Sequence, residues 1–457
     1  MSPASSDAMR TDPDLRTDGL LAATAMGVYL LVMLGVTTEM TAALERCAGQ
    51  VICGPELAGW SAAGVVMGHR SLAVLVGIVG AVTAGRMLRA HHRVRTRLAV
   101  AVAAVLYPLQ ALAGLAIAAG VSTVVVGAVH LAGGLAIFTL LSVALAWRLE
   151  TTTAGEHHRD EITDAAADPG PTTRVGMYLS LMKPRLMWLL SLVAAAGMFL
   201  ATTTGASITV WTAVGTLLGG VLAIGAAGTF NHILERDVDR RMRRTADRPL
   251  PTDAVGVHRA AAFGAILTVA ALVTFWSVRP VVALLGAVAI VFYAVIYTLI
   301  LKPNTVQNTV LGGAAGALPA VIGWVAVSGD VGLGAVALAT VIFLWTPAHF
   351  YNLALAYRAD YERGGFPMLS VVRGATTTRK HILWYLTATF IATVLLAVQT
   401  DLGLGFGIAA VAAGGLFLGF VVLLHHRSET RTAIRSFHAS NAYLGVVLVS
   451  IILETAV

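Results

Sequence analysis

Long apolar runs alternate with short polar interruptions along most of this chain. The runs fall at Leu20–Val36, Trp60–Ala84, Leu98–Ala118 and Val124–Trp147. They resume at 176–200, 209–231, 259–276, 281–300, 306–326, 332–355, 381–399, 404–424 and 438–454. A helix rises about 1.5 Å per residue, so roughly 20 apolar residues span a bilayer. The pattern therefore predicts an all-α polytopic membrane protein with about 13 transmembrane helices. A polar segment rich in Thr, Asp, Glu, His, Pro and Gly separates the first four runs from the other nine. The expected organisation is a disordered tail over 1–17, a four-helix membrane domain over 18–148, a cytoplasmic linker over 149–174 and a nine-helix domain over 175–457.

Composition agrees. Hydrophobic residues make up 57% and charged residues 12%, against roughly 25% charged in a soluble domain. Mean hydropathy is +0.79 and the isoelectric point about 9.7. The net charge of +7 sits in loops between spans instead of along one soluble face, so nucleic acid is excluded as a partner. In a membrane protein such loops report orientation. With the N-terminus inside, the basic segments Arg86–Arg97, Arg236–Arg248, Arg358–Lys380 and His425–Arg435 all fall on the cytoplasmic side of the cell membrane, and the C-terminus falls outside. Met1–Thr17 carries acids and arginines without a small-residue cleavage site, unlike a signal peptide.

The chemistry concentrates at 231–248, where four acids and six arginines follow an apolar helix. Charge near a bilayer is costly and marks a candidate site. Asn231, Glu235 and Asp239 are spaced i, i+4, i+8 and share one helix face. An oxygen-only face suits Mg²⁺, which takes one or two carboxylates plus substrate phosphates, and the arginines suit a diphosphate. Asp237 is rotated off that face and is a further metal candidate. Asp360, at the same side of a later span, could share the metal, and Lys302 could reach a phosphate. Charged loops also serve simply to anchor topology, so spacing alone leaves this site as a lead. His349, inside a span, is a substrate contact or base, or a packed polar residue.

The N-terminal spans offer two features. Cys47 and Cys53 share the loop after the first span on the oxidising side, as a disulfide or as two free thiols. His69 and His130 lie at similar depth in spans two and four. They could be ligands to heme iron, with Arg70 meeting a propionate, or two packed core histidines.

The C-terminal motifs carry a family resemblance. Asn231-x₃-Glu235-x₃-Asp239 resembles the first acidic motif of the UbiA-type intramembrane prenyltransferases. The extension through Met242, Arg244-Thr245 and Arg248-Pro249-Leu250 resembles the heme O synthase branch. Leu181-Met-Lys183-Pro-Arg185, Tyr297-Thr-x₃-Lys302, Asn308-x₃-Gly312-Gly313, Pro347-Ala-His349-Phe350, Asp360-Tyr361, Gly365-Phe-Pro367-Met368 and Ser436-Phe-His438-x-Ser440 agree with it. One departure from the wider family is Ala356, where a second acid is usual. The resemblance implies a nine-helix fold and Mg²⁺ held by Asn231, Glu235, Asp239 and Asp360. It implies that Lys302, Arg244 and Arg248 stabilise the diphosphate leaving from farnesyl diphosphate, and that protoheme IX is the acceptor. Heme A synthase or terminal-oxidase assembly are the partners it implies.

Met67-Gly-His69-Arg70, Gln110-x₃-Gly114 and His130-Leu resemble one four-helix half of heme A synthase. That family has two such halves, and this chain has Val66 where a Glu is expected. The resemblance implies heme binding at His69 and His130. Two other readings remain: a UbiA-type prenyltransferase acting on a quinone precursor, and a transporter or non-enzymatic heme-handling membrane protein. Against the transporter, no inverted repeat or mid-membrane helix break is evident in the sequence.

Overall fold

The computed structural model describes residues 12–37, 55–89, 93–121, 124–153, 173–427 and 429–456. Cys47 and Cys53 lie outside them. The N-terminal helices are α1 (Asp12–Val36), α2 (Pro55–Arg89), α3 (Val94–Ala118) and α4 (Val124–Thr153). There follow α5 (Arg174–Leu181), α6 (Pro184–Ala201), α7 (Val210–Leu234), α8 (Arg236–Asp239), α9 (Val257–Val278) and α10 (Pro280–Val291). A π-helical segment, Phe292–Leu301, leads into α11 (Lys302–Asn304). The chain ends with α12 (Asn308–Ser328), α13 (Leu333–Ala356), α14 (Arg358–Arg363), α15 (Leu369–Val372), α16 (Gly374–Thr400), α17 (Leu404–His426) and α18 (Thr430–Thr455). Thirteen helices among the described residues are long and apolar enough to cross a membrane, and the protein is a multi-pass membrane protein.

Three boundaries differ from expectation. Residues 12–17 belong to α1 instead of a disordered tail. Residues 149–153, expected in the linker, complete α4. The span expected over 176–200 is broken between α5 and α6, where Lys183 adopts φ 57° immediately before Pro184 (a residue preceding proline is disfavoured in the α region).

The chain divides into two compact units that do not follow chain order. One unit contains 1–158 with 379–428, so α17 and most of α16 cluster with the N-terminal helices. In it α1 packs against α2, α4 and α17. Tyr29 stacks on Phe390 with ring centroids 4.8 Å apart and meets Phe138 at 5.4 Å. The buried Asp18 pairs with Arg148 and lies 3.0 Å from His426 Nε2. Glu150 pairs with Arg95 and Lys380, each at 2.8 Å.

The other unit contains 159–378 with 429–457. Its helices show the pattern of a membrane bundle. On α9, Ala260, Gly264, Leu267, Ala271 and Phe275 are buried, while Ile266, Val269, Val273 and Trp276 are exposed. Both faces are apolar because lipid replaces water outside; small residues, not hydrophobicity, select the packed face. Phe275 fits against Gly219 of α7 and Gly286 of α10, where added Cβ atoms would sit 2.6 Å and 2.5 Å from its ring.

α6 and α12 approach each other closely. A Cβ at Gly323 would collide with the backbone oxygen of Ala194, and one at Gly197 with that of Ala320. Backbone cannot swing aside as a side chain can. Gly323→Ala should therefore cost about 1–3 kcal/mol. Gly220→Ala, with nothing within 4 Å, should be neutral or slightly stabilising. Thermal unfolding of the purified variants checks the contrast.

Candidate active site

The acidic face expected from spacing exists, although the helix is not continuous through it. α7 ends at Leu234 and α8 begins at Arg236. Backbone bonds from Glu235 N to Asn231 O (2.9 Å) and from Asp239 N to Glu235 O (2.7 Å) carry the i+4 register across the break. Asn231, Glu235 and Asp239 are buried, whereas Asp237 is 84% exposed and makes a long 3.6 Å pair with Arg240. The sequence put Asp237 off the face, and there it lies.

Each buried oxygen ligand meets a cation from elsewhere in the chain. Lys302 Nζ reaches Glu235 Oε1 at 2.5 Å and also lies 4.3 Å from the centre of the Phe366 ring. Arg248 Nη1 donates to Asp239 Oδ2 at 2.8 Å. Lys183 Nζ donates to Asn231 Oδ1 and, at 3.1 Å, to the Tyr293 hydroxyl. The other side of the Asn231 amide donates to Thr298 Oγ1 at 2.9 Å. Burial alone would push the Glu235 carboxyl up, but Lys302 and Lys183 outweigh it and hold it below the usual carboxylate range. Burial lowers the Lys183 ammonium to about 7, opposed by Glu235 and assisted by Arg248 and Lys302.

The π-helical segment supplies two of these partners. Its i→i+5 register lines up residues five apart, and Thr298 Oγ1 donates to Tyr293 O at 2.8 Å. Tyr293 and Thr298 thereby reach Lys183 and Asn231.

The turn after α8 is folded by its own arginines. Arg236 and Arg240 both pair with Asp253, and Arg240 Nε donates to Pro251 O at 2.9 Å. Asp360, on α14, accepts from the backbone amides of Arg243 (2.9 Å) and Arg244 (3.1 Å) and pairs with Arg363. Its carboxylate thus anchors the turn that carries Arg244 and Arg248. Met242 packs beneath that turn with Tyr361, Phe366 and Met368. The Arg244 guanidinium lies 5.1 Å from the Tyr357 ring centre.

His349 has different surroundings. It stacks between Trp345 and Phe437, each 4.3 Å away, and its Nδ1 lies 2.6 Å from Ser440 Oγ. These contacts are those of a packed polar residue. In the other unit, His69 lies on α2 and His130 on α4. The Nδ1 atom of each is buried without a hydrogen-bond partner. Gly35 and Gly114 lie beside the two rings.

The sequence reading gave no role to Lys183, Tyr293 and Thr298. His232 fell just beyond the expected span 209–231, whereas the helix runs on to Leu234. Lys183 stood in a quoted motif but was not given a role, because its reach to Asn231 depends on the chain break before α6.

The oxygen donors fit a hard divalent cation only if a ligand completes the shell. Asp239 Oδ1 is buried with no hydrogen-bond partner. Yet among the described residues no three His, Cys, Asp or Glu side chains are gathered to hold a metal. Mg²⁺ takes few protein carboxylates and fills its octahedron with phosphate oxygens and water, so the donor set suits it together with a diphosphate.

The UbiA prenyltransferase family profile matches residues 189–444. A protoheme IX farnesyltransferase of Haloquadratum walsbyi is 53% identical over 466 aligned residues, covering 97% of each chain. A protoheme IX farnesyltransferase of Haloarcula marismortui is also 53% identical, covering 95% of this chain and 97% of its own. Both matches therefore run through the N-terminal helices. A solved structure of digeranylgeranylglyceryl phosphate synthase shares the fold, with a TM-score of 0.51 at 17% identity over 62% of this chain and 98% of its own.

Asp239→Asn should remove the buried partner of Arg248 and cost about 1–3 kcal/mol, discounted for the partial exposure of that arginine. Asp237→Asn should change stability by less than about 0.5 kcal/mol. Unfolding midpoints in the same detergent check both.

Proposed function

The chain belongs to the UbiA prenyltransferase family and is a prenyltransferase, and we propose that it transfers a farnesyl group from farnesyl diphosphate to a vinyl group of protoheme IX, giving heme O. The observation that carries this reading is the near-full-length relationship to protoheme IX farnesyltransferases, joined to a buried set of oxygen ligands faced by cations.

In the proposed reaction Asn231, Glu235 and Asp239 would hold Mg²⁺ together with the diphosphate. When bound, the ion neutralises the phosphate oxygens and makes diphosphate a better leaving group. Glu235 and Asp239 give up Lys302 and Arg248 to the phosphates, so cations already in place meet the charge that develops as the C–O bond breaks. Lys183 and Thr298 hold the Asn231 amide in one orientation. Asp360 acts through the turn it anchors, which brings Arg244 and Arg248 into use. The bundle excludes bulk water and so protects the allylic cation until the vinyl carbon attacks. Water then adds to the benzylic-type cation on the porphyrin side and loses a proton, leaving a hydroxyethylfarnesyl group. The active-site loops lie on the cytoplasmic face, and the product passes to heme A synthase or terminal-oxidase assembly.

The N-terminal helices are proposed to hold heme between His69 and His130, with Arg70 toward a propionate. Support comes from the two unpartnered imidazole nitrogens and the glycines beside the rings. Bound heme supplies an iron for these imidazoles to ligate.

Extracted hemes should gain the mass of one farnesyl and one hydroxyl group when the protein is given protoheme, farnesyl diphosphate and Mg²⁺, and EDTA should abolish the gain. Glu235→Gln should lower the rate about 100-fold or more. Unchanged protoheme from well-folded protein, with prenylation of a quinone precursor instead, would replace the acceptor. Separately, purified protein should show a low-spin heme spectrum that His69→Ala and His130→Ala each abolish. An unaltered spectrum in both variants would remove heme from this unit.

A further inference from the structure

His232 stands out among the buried histidines. His349 has Ser440 as a hydrogen-bond partner, and His425 has the Val421 carbonyl at 2.8 Å. His232 is 3% exposed, and neither of its ring nitrogens has a hydrogen-bond partner. Leaving a buried polar group unpaired is costly, and such groups are uncommon without a reason.

Its position supplies the reason. At 3.6 residues per turn, residue 232 lies within about 20° of residue 239 around the helix, so it shares the face of Asn231, Glu235 and Asp239. Those four are buried, whereas Leu234 and Asp237 are exposed. One turn earlier on that face, Gly228 lies against the Leu181 and Met182 carbonyls and the Lys183 side chain. Lys183, Arg248 and Lys302 each pair with a residue of that face, at Asn231, Asp239 and Glu235 respectively. A buried N–H with no acceptor, on a face that carries these three basic side chains, calls for an anion.

We propose that His232 donates a hydrogen bond to the diphosphate of the prenyl donor, completing an anion site with Lys183, Arg248 and Lys302. The inference rests on the reading of this face as a diphosphate site. A heme propionate is the less suited anion, because Glu235 and Asp239 on the same face repel a bare carboxylate, while a diphosphate arrives with Mg²⁺. An imidazole N–H donates along one direction, so His232 contributes orientation as well as attraction.

The test uses the full chain in detergent with MgCl₂ and inorganic pyrophosphate, and reads the rise in melting temperature with pyrophosphate concentration, which needs no acceptor. His232→Phe should weaken apparent pyrophosphate affinity about 10- to 100-fold. Of His232→Asn and His232→Gln, the one whose amide replaces the donating nitrogen should keep affinity within about threefold, and the other should lose it. The KM for farnesyl diphosphate should move in parallel and that for protoheme should not. If His232→Phe does not fold, the Asn and Gln pair decides. Pyrophosphate affinity unchanged in all folded variants, or a shift in the protoheme KM alone, overturns the proposal. If Mg²⁺-pyrophosphate stabilises wild type and not His232→Phe while no heme product forms, the acceptor reading fails and the role of His232 stands.

Discussion

The active unit depends on pairing the buried oxygens of one helix face with cations brought from other parts of the chain. A carboxylate removed from water is strongly disfavoured unless it is paired and hydrogen-bonded. Glu235 is matched by Lys302 at the end of the π-helical segment, and Asp239 by Arg248 on the following turn. Asn231 is held by Lys183 at the break before α6. Each pairing fixes where a separate element can lie, so the contacts that would serve catalysis also hold the turn, the π-helical segment and the chain break in place. Lys302 and Arg248 match the two carboxylates there, and Lys183, its ammonium lowered to about 7 by burial, gains charge as an anion arrives.

Two departures from regular helix geometry make these pairings reachable. The π-helical register brings Tyr293 and Thr298 to Lys183 and Asn231, and irregular helix at a functional site is a recurrent use of that geometry. Lys183 carries a positive φ without being glycine, a conformation that costs energy and persists only where surrounding contacts impose it. Its bonds to Asn231 and Tyr293 are such contacts. Asp360 plays a complementary part, since its oxygens go to two backbone amides and Arg363, and through them it sets the path of the arginine-bearing turn.

The N-terminal unit obeys the same electrostatic logic with a different outcome. Asp18 is fully buried and is matched by Arg148 and His426, while Glu150 is matched by Arg95 and Lys380. These links draw α17 and most of α16 to α1 and α4, although 230 positions separate Glu150 from Lys380 and 408 separate Asp18 from His426. A division made along the chain cannot anticipate this, because hydropathy identifies spans without identifying their neighbours.

The sequence alone determined the thirteen spans and the face shared by Asn231, Glu235 and Asp239. Both follow from local rules: the thickness of a bilayer sets run length, and the helical repeat sets which residues align. It also placed Asp237 off that face and supplied the motifs that agree with the family. Only the tertiary structure decided which cation meets which oxygen. Lys302 to Glu235 and Lys183 to Asn231 cross 67 and 48 positions, and no periodicity links residues so far apart. It likewise decided that Asp360 grips a turn, that His349 sits in an aromatic stack and that His232 is left without a partner. Those outcomes depend on how helices pack, and in lipid both faces of a helix are apolar, so the pattern along the chain does not say which face meets which neighbour.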